Sequence, residues 1–369
     1  MLNDFKCLKC GNCLFYCPVY NIEKEETFSP RGRLSLIELL QNHDFKKLRK
    51  NFLQECLICG SCEKNCSANI KITDIFINNR EKFKKDSPEI KKIALYFFKK
   101  NFLNLYKRLS LTRYIPLFKL PRLDFKVTQI NFKSEKKVIL FSGCVANYII
   151  TEIKHSAIHV LNKMGYEVIT PEFNCCGFPF LSSGDKKRFE LLKKENLDIL
   201  KKYPDIPVLI LCPTGLHTFK EYYNFDKIHE FADFIFKDNK FLEYLNSLNL
   251  KDKISIHIPC HYLNFSNSSN NIKMIVEKIN GLDIYQPDRQ MCCGFGGTFS
   301  AAYPKVSTAI LSKSIKNLHS EGERKILTNC PGCTLQLSRK SPTLHLAIFL
   351  SQIIVKNDDS QDSSTISKE

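Results

Sequence analysis

The chain has 369 residues, enough for two or three domains each with its own core, and its 43% hydrophobic and 25% charged residues exclude a disordered protein. The net charge of +17 raises nucleic acid as a partner, but the basic residues are dispersed and no helix-turn-helix, zinc-finger or aromatic-basic motif accompanies them, so no nucleic acid is expected. An acidic partner subunit or an anionic membrane face suits the excess equally, whereas no apolar run approaches the roughly 18–20 residues of a spanning helix.

Cysteine is the outlier, with 17 residues. The start, MLNDFKCLKCGNC, has no apolar h-region and no cleavage site. Its thiols stand at metal-cluster spacing rather than as disulfide partners, which points to a reducing, cytoplasmic compartment, with a peripheral place on the inner face of the membrane as a variant.

Residues 1–80 form the first expected domain. Cys7, Cys10, Cys13 and Cys17 make one packet, and Cys56, Cys59, Cys62 and Cys66 make a second with the same spacing. This is the run of two-cluster bacterial ferredoxins, in which the fourth cysteine of each packet serves the other cluster. The expected ligand sets are therefore Cys7, Cys10, Cys13 and Cys66 for one [4Fe–4S] cubane, and Cys56, Cys59, Cys62 and Cys17 for the other. Zinc ribbons also pair C-x₂-C motifs, but eight thiols in two matching quartets favour clusters. Ser67 replaces the proline expected after the last cysteine, which weakens the turn and not the ligation. Between the packets, Ser29-Pro30-Arg31-Gly32-Arg33 opens a helix over LSLIELLQ. Arg31 and Arg33 read either as cationic neighbours of the clusters or as a solvated helix start.

A linker follows over 81–135. In its 82–126 stretch basic residues outnumber acidic ones 13 to 3, and aromatics recur at helical spacing. Such an amphipathic helical segment packs on its own protein, docks on a partner or lies on a membrane surface.

From residue 136 strand-like and helix-like segments alternate, and they do so twice, over 136–240 and 251–355. Cys144, Cys175 and Cys212 recur as Cys260, Cys292 and Cys330 at offsets of 116, 117 and 118, and His229 and His345, each expected to open a final helix, are 116 apart. Every cysteine packet falls at the end of an expected strand, where open α/β sheets place their ligands. The second unit holds five thiols, Cys260, Cys292, Cys293, Cys330 and Cys333, read as converging on one iron–sulfur centre. The first holds Cys144, Cys175, Cys176 and Cys212, with Gly215 in the fifth place. Those four suit zinc or a further cluster, as a structural or vestigial site, with a redox pair at Cys175-Cys176 as the alternative. His261 follows a proposed ligand and reads as a proton relay or, more plainly, as a strand-end histidine; His257 and His319 share its unit. No acid–base dyad, Ser-His-Asp set or phosphate loop appears, so no catalytic residue is assigned and electron transfer is the chemistry that remains. The polar tail, 356–369, is expected to be disordered. The fold class expected is α+β: a helical two-cluster ferredoxin-like domain followed by two duplicated α/β cysteine-rich units.

The double packet with SPRGR between its halves, followed by two C…CCG…C repeats, resembles the iron–sulfur subunit of glycolate oxidase. The cysteine-rich subunits of anaerobic glycerol-3-phosphate dehydrogenase and of heterodisulfide reductase share these units, as do the lactate-utilisation proteins. The resemblance covers nearly the whole chain. It implies a non-cubane [4Fe–4S] cluster at Cys260, Cys292, Cys293, Cys330 and Cys333. It also implies an oxidoreductase subunit that passes electrons from a flavoprotein 2-hydroxyacid dehydrogenase subunit to quinone or another acceptor, or alternatively a subunit that reduces disulfides at that cluster, or a subunit of anaerobic glycerol-3-phosphate dehydrogenase. Nothing in the chain reads as a flavin site: Gly294-Phe295-Gly296-Gly297 lacks dinucleotide spacing.

Overall fold

The computed structural model describes residues 6–42, 52–82, 89, 132–266 and 271–366. The amphipathic linker expected over 81–135, with the partner or membrane contact raised for it, lies almost wholly outside the described residues. None of the described helices is long and apolar enough to cross a membrane.

The fold is α+β. In the N-terminal part, short helices Asn12–Tyr16 and Ser61–Lys64 each follow a glycine in the left-handed region, Gly11 at φ 86° and Gly60 at φ 77°. That conformation turns the chain sharply beside the thiols and is strained for any residue with a Cβ. The expected helix between the packets runs Pro30–Asn42, with proline at its first position.

Two four-stranded parallel sheets follow. The first contains β1 (Lys137–Phe141), β2 (Glu167–Ile169), β3 (Val208–Ile210) and β4 (Ile228–Glu230) in the order β2-β1-β3-β4. The second contains β5 (Asn249–Ile256), β6 (Asn280–Tyr285), β7 (Lys325–Thr328) and β8 (Thr343–His345) in the order β6-β5-β7-β8. The identical order is the duplication seen as topology.

His229 and His345 do not open helices; they sit inside β4 and β8, pairing with Leu209 and Thr328. β3 and β7 each offer an edge that a short triplet can complete, and the helices begin just after it, at Phe231 and Leu346. The last helix, Leu346–Ile366, also runs into the tail expected to be disordered. Buried Ile353 and Ile354 fasten it to the core, and Lys163 pairs with Asp358 at 2.9 Å.

Strand alternation decides what packs where. Val138 and Leu140 of β1 face a core shared with Ile254, Ile256 and Leu327 of the second unit. Ile139 and Phe141, on the opposite face, pack on Leu34, Ile37, Ile58 and Phe76 of the N-terminal part. The first sheet is thus buried on both faces, as its continuous apolar strands require. The second thiol packet docks on the second unit as well. A Cβ on Gly60 would lie 2.3 Å from the Phe265 ring, and Asn264 Nδ2 donates to the Cys59 carbonyl at 2.8 Å. Gly60→Ala is therefore expected to cost about 2 kcal/mol, from the positive φ and the displaced ring together, read as a lowered thermal midpoint. A change within experimental error would mean that the packet is not seated on Phe265.

Candidate functional site

Three hollows hold most of the cysteines. Cys7, Cys10, Cys13 and Cys66 line the outermost, where Cys10 is exposed. Cys17, Cys56, Cys59 and Cys62 line the next. Each arginine of the SPRGR segment lines one of these two. Arg31, bonded to Glu26 at 2.6 Å and to the Lys9 carbonyl at 3.3 Å, borders the first. Arg33 borders the second; it is 0% exposed and donates to the carbonyls of Phe52 and Glu55, each at 2.6 Å. The solvated-helix reading does not hold for Arg33: its helix face is covered by the second packet. Burial pushes the Cys13 thiol up to about 11 and raises Cys17 and Cys62.

The third hollow is a cavity of about 130 Å³ at the carboxyl ends of the strands, between the two units. Cys260, Cys292, Cys293, Cys330 and Cys333 all line it, so the structure brings the second unit's five thiols together. Cys293 Sγ lies 3.3 Å from Cys333 Sγ, and Cys292 Sγ 4.0 Å from Cys260 Sγ. The Gly294 N–H points at Cys292 Sγ from 3.4 Å. The Cys260 and Cys293 thiols beside Cys292 hold it well below the usual thiol range, and Cys212 and Cys333 do the same for Cys330. The neighbours Cys260 and Cys333 are raised in exchange. Glycines line this pocket: a Cβ on Gly332 would lie 3.0 Å from the Phe295 ring and 3.8 Å from Cys330 Sγ, and at Gly297 it would meet nothing within 4 Å. A thiol-rich, glycine-lined hollow is the donor set that iron–sulfur clusters take, and it fits one here.

The first unit's four thiols are divided. Cys175 lies against Cys144 and Cys176, and with Cys144 it lines a separate, polar cavity of about 180 Å³. Cys144, Cys176 and Cys212 line the shared cavity, and Cys212 faces Cys330 of the other unit. At Gly215 a Cβ would lie 2.5 Å from Ile210 Cδ1. The residue matching Ile210 in the second unit is Thr328, so the isoleucine fills the place of the fifth thiol.

The histidines separate into roles. His257, buried just past the end of β5, has Nε2 3.2 Å from the Met291 carbonyl and Nδ1 3.2 Å from Thr328 Oγ1. The carbonyl accepts only, so Nε2 carries the proton, and the imidazole positions the backbone entering Cys292. His261 is 8% exposed and lines the cavity, with Nδ1 3.7 Å from Cys260 Sγ. Burial holds it down at about 4. His319 lies away from the site, 2.9 Å from Ser341 Oγ. Sequence reasoning missed two neighbours. Cys59 lines both the second hollow and the cavity. His217, stacked on Phe265 at 3.9 Å, lies 5.7 Å from the His261 ring, ring centre to ring centre. Each comes from another domain, and no local motif announces such a meeting.

A buried polar node ties the units behind the cavity. Glu230, 0% exposed, accepts from the N–H groups of Ala232 and Asp233 and faces Asn329, the residue before Cys330. Burial raises its carboxyl well above the usual range. A carboxyl raised in the folded state lowers stability as pH climbs past its ordinary value. Glu230→Gln keeps an acceptor for both N–H groups and cannot ionise. It is expected to be more stable than the parent by about 1–3 kcal/mol at pH 8, with the gain shrinking toward pH 5. A gain that does not change with pH would show that ionisation is not its source.

Comparison with known proteins agrees with this arrangement. Residues 5–70 match the 4Fe-4S dicluster domain, and residues 138–220 and 254–338 each match the cysteine-rich domain. Relatives include an uncharacterized iron–sulfur protein of Methanococcus maripaludis, 28% identical over 92% of this chain and 68% of its own length. Another is a dihydromethanophenazine:CoB–CoM heterodisulfide reductase subunit of Methanosarcina mazei, 23% identical over 94% of this chain and 91% of its own. The glycolate oxidase iron–sulfur subunit of Escherichia coli is 21% identical over 91% and 90%. A crystal structure of a hypothetical protein from Helicobacter pylori shares the fold, with a TM-score of 0.50 and 13% identity over 90% of this chain and 69% of that one. The chain belongs to the iron–sulfur electron-transfer proteins that join a 4Fe-4S dicluster domain to a duplicated cysteine-rich domain.

Proposed function

We propose that this chain is the iron–sulfur subunit of a flavoprotein 2-hydroxyacid dehydrogenase of the glycolate or lactate type, passing electrons from a flavin subunit to quinone or another acceptor. The observation that carries the proposal is the position of Cys59, shared by the second hollow and the cavity. It joins the second thiol site to the inner one, which supports a path running inward from the N-terminal thiols, with exposed Cys10 at the outer end.

In this reading Cys7, Cys10, Cys13 and Cys66 hold one cubane, Cys17, Cys56, Cys59 and Cys62 a second, and the second unit's five thiols a non-cubane [4Fe–4S] cluster. Such clusters take up and release single electrons. The chain's own residues tune that exchange. Arg31 and Arg33 place positive charge beside the first two hollows, which favours the reduced state. Gly11 and Gly60 let backbone N–H groups approach the sulfurs. His257 orients the Cys292 segment, and the apolar wall of Phe178, Phe295 and Leu57 keeps water from the inner site.

Iron and acid-labile sulfide analysis, with low-temperature EPR of the dithionite-reduced chain, tests the series. Two interacting cubane signals plus a distinct third species are expected, together with co-purification of a flavoprotein. Iron-free protein that holds zinc instead would overturn it. The cavity itself favours a second reading, a subunit that reduces disulfides at the inner site, as the name of the Methanosarcina relative suggests. Thiol–disulfide turnover by the isolated, loaded chain, with no flavoprotein bound, would decide for that reading.

A further inference from the structure

Cys212 and Cys330 are equivalent residues of the two units, each at the end of its third strand and each capping a short helix, Pro213–His217 and Pro331–Leu337. The fold brings these equivalent positions face to face. His345 of the second unit donates from Nε2 to the carbonyl of Leu211, at 3.2 Å, which pins the backbone just before Cys212. Cys212 then packs with buried Cys293, Cys330 and Cys333 of the second unit. Cys175 turns to the polar cavity on the far side, and Cys144 borders both that cavity and the shared one. Ile210 occupies the space a fifth first-unit thiol would need.

We propose that Cys212 is the sixth thiol of the second unit's centre, supplied by the first unit, and that the first unit holds no four-thiolate site of its own. The inference rests on the reading that the second unit's thiols hold an iron–sulfur centre. In binding iron the Cys212 thiol gives up its proton to solvent, and the bond it makes fastens one unit to the other. Duplication then has a chemical use: the unit that lacks the fifth thiol lends its fourth to the neighbour's centre.

The test uses the full chain loaded anaerobically with ⁵⁷Fe and sulfide. Cys212→Ser is expected to shift the Mössbauer parameters of the inner centre and to speed its loss of iron to a chelator by about tenfold. Cys175→Ser, at the one first-unit thiol that does not line the shared cavity, is expected to leave both unchanged. An independent measurement avoids any folding defect of the variant. In the loaded parent chain Cys212 should resist iodoacetamide as Cys330 does, and both should become reactive once iron is removed. An unshifted spectrum in Cys212→Ser, or equal labelling of Cys212 with and without iron, overturns the proposal. If Cys293→Ser also leaves the spectrum unshifted, the centre itself is absent and the underlying reading fails with it.

Discussion

Arg80→Ala is expected to lower stability by about 3–5 kcal/mol, seen as a large drop in thermal midpoint. Arg80 lies in the last turn of the helix Ile72–Lys82 and is 2% exposed. Its Nε and Nη2 donate to the Leu53 carbonyl at 2.8 and 2.6 Å, and Nη2 also to Gln54 at 3.1 Å and Cys56 at 2.6 Å. Nη1 reaches the Ser182 carbonyl of the first cysteine-rich unit. One guanidinium therefore holds the backbone at a cluster packet and fastens that packet to the neighbouring unit. Burial opposes it, pulling its pKa down to about 10, so removing the charge relieves some desolvation. The loss still dominates, because four buried carbonyls are left without their donor. Gly184 reports how close the elements lie: a Cβ there would be 2.6 Å from the Arg80 carbonyl carbon. Arg80→Lys should recover little, since a single ammonium cannot span carbonyls on both sides of a fork. A drop of less than about 1 kcal/mol in the alanine variant would show that water replaces these bonds.

Cys293→Ser is expected to strip the inner centre while sparing the outer two. Cys293 is 3% exposed, 3.3 Å from Cys333 Sγ, and lies outside both N-terminal hollows. A serine oxygen is a harder and shorter donor than a thiolate and suits iron–sulfur chemistry poorly. With three four-iron clusters in the proposed series, bound iron should fall by about a third, and the cubane EPR signals should persist. Unchanged iron content would remove Cys293 from the ligand set. Loss of all iron would mean that the inner site, through the shared Cys59, holds the N-terminal domain together.

Much of this protein is written locally. The two thiol packets, the duplication and the strand-end placement of the cysteines follow from spacing and apolar runs, because local periodicity reports strands and turns directly. Proline at the start of Pro30–Asn42 and glycines at the packet turns were legible for the same reason. The fourth strands were not. His229 and His345 lie in triplets too short to show a period, and only an open sheet edge makes them strands.

The meetings between distant residues lay beyond spacing altogether. Arg33 reads either as a cluster neighbour or as part of a solvated helix start, and no local motif singles out Arg80; both are buried clamps because the elements around them close over their charges. The inner site is the clearest case. The sequence by itself determined that five thiols of the second unit end their strands on one side of a sheet. Tertiary packing alone decided that Cys59 arrives from the N-terminal domain and Cys212 from the first unit. Those contacts depend on which sheet faces share a core, and that is settled by burial summed over three domains, not by any run of neighbouring residues.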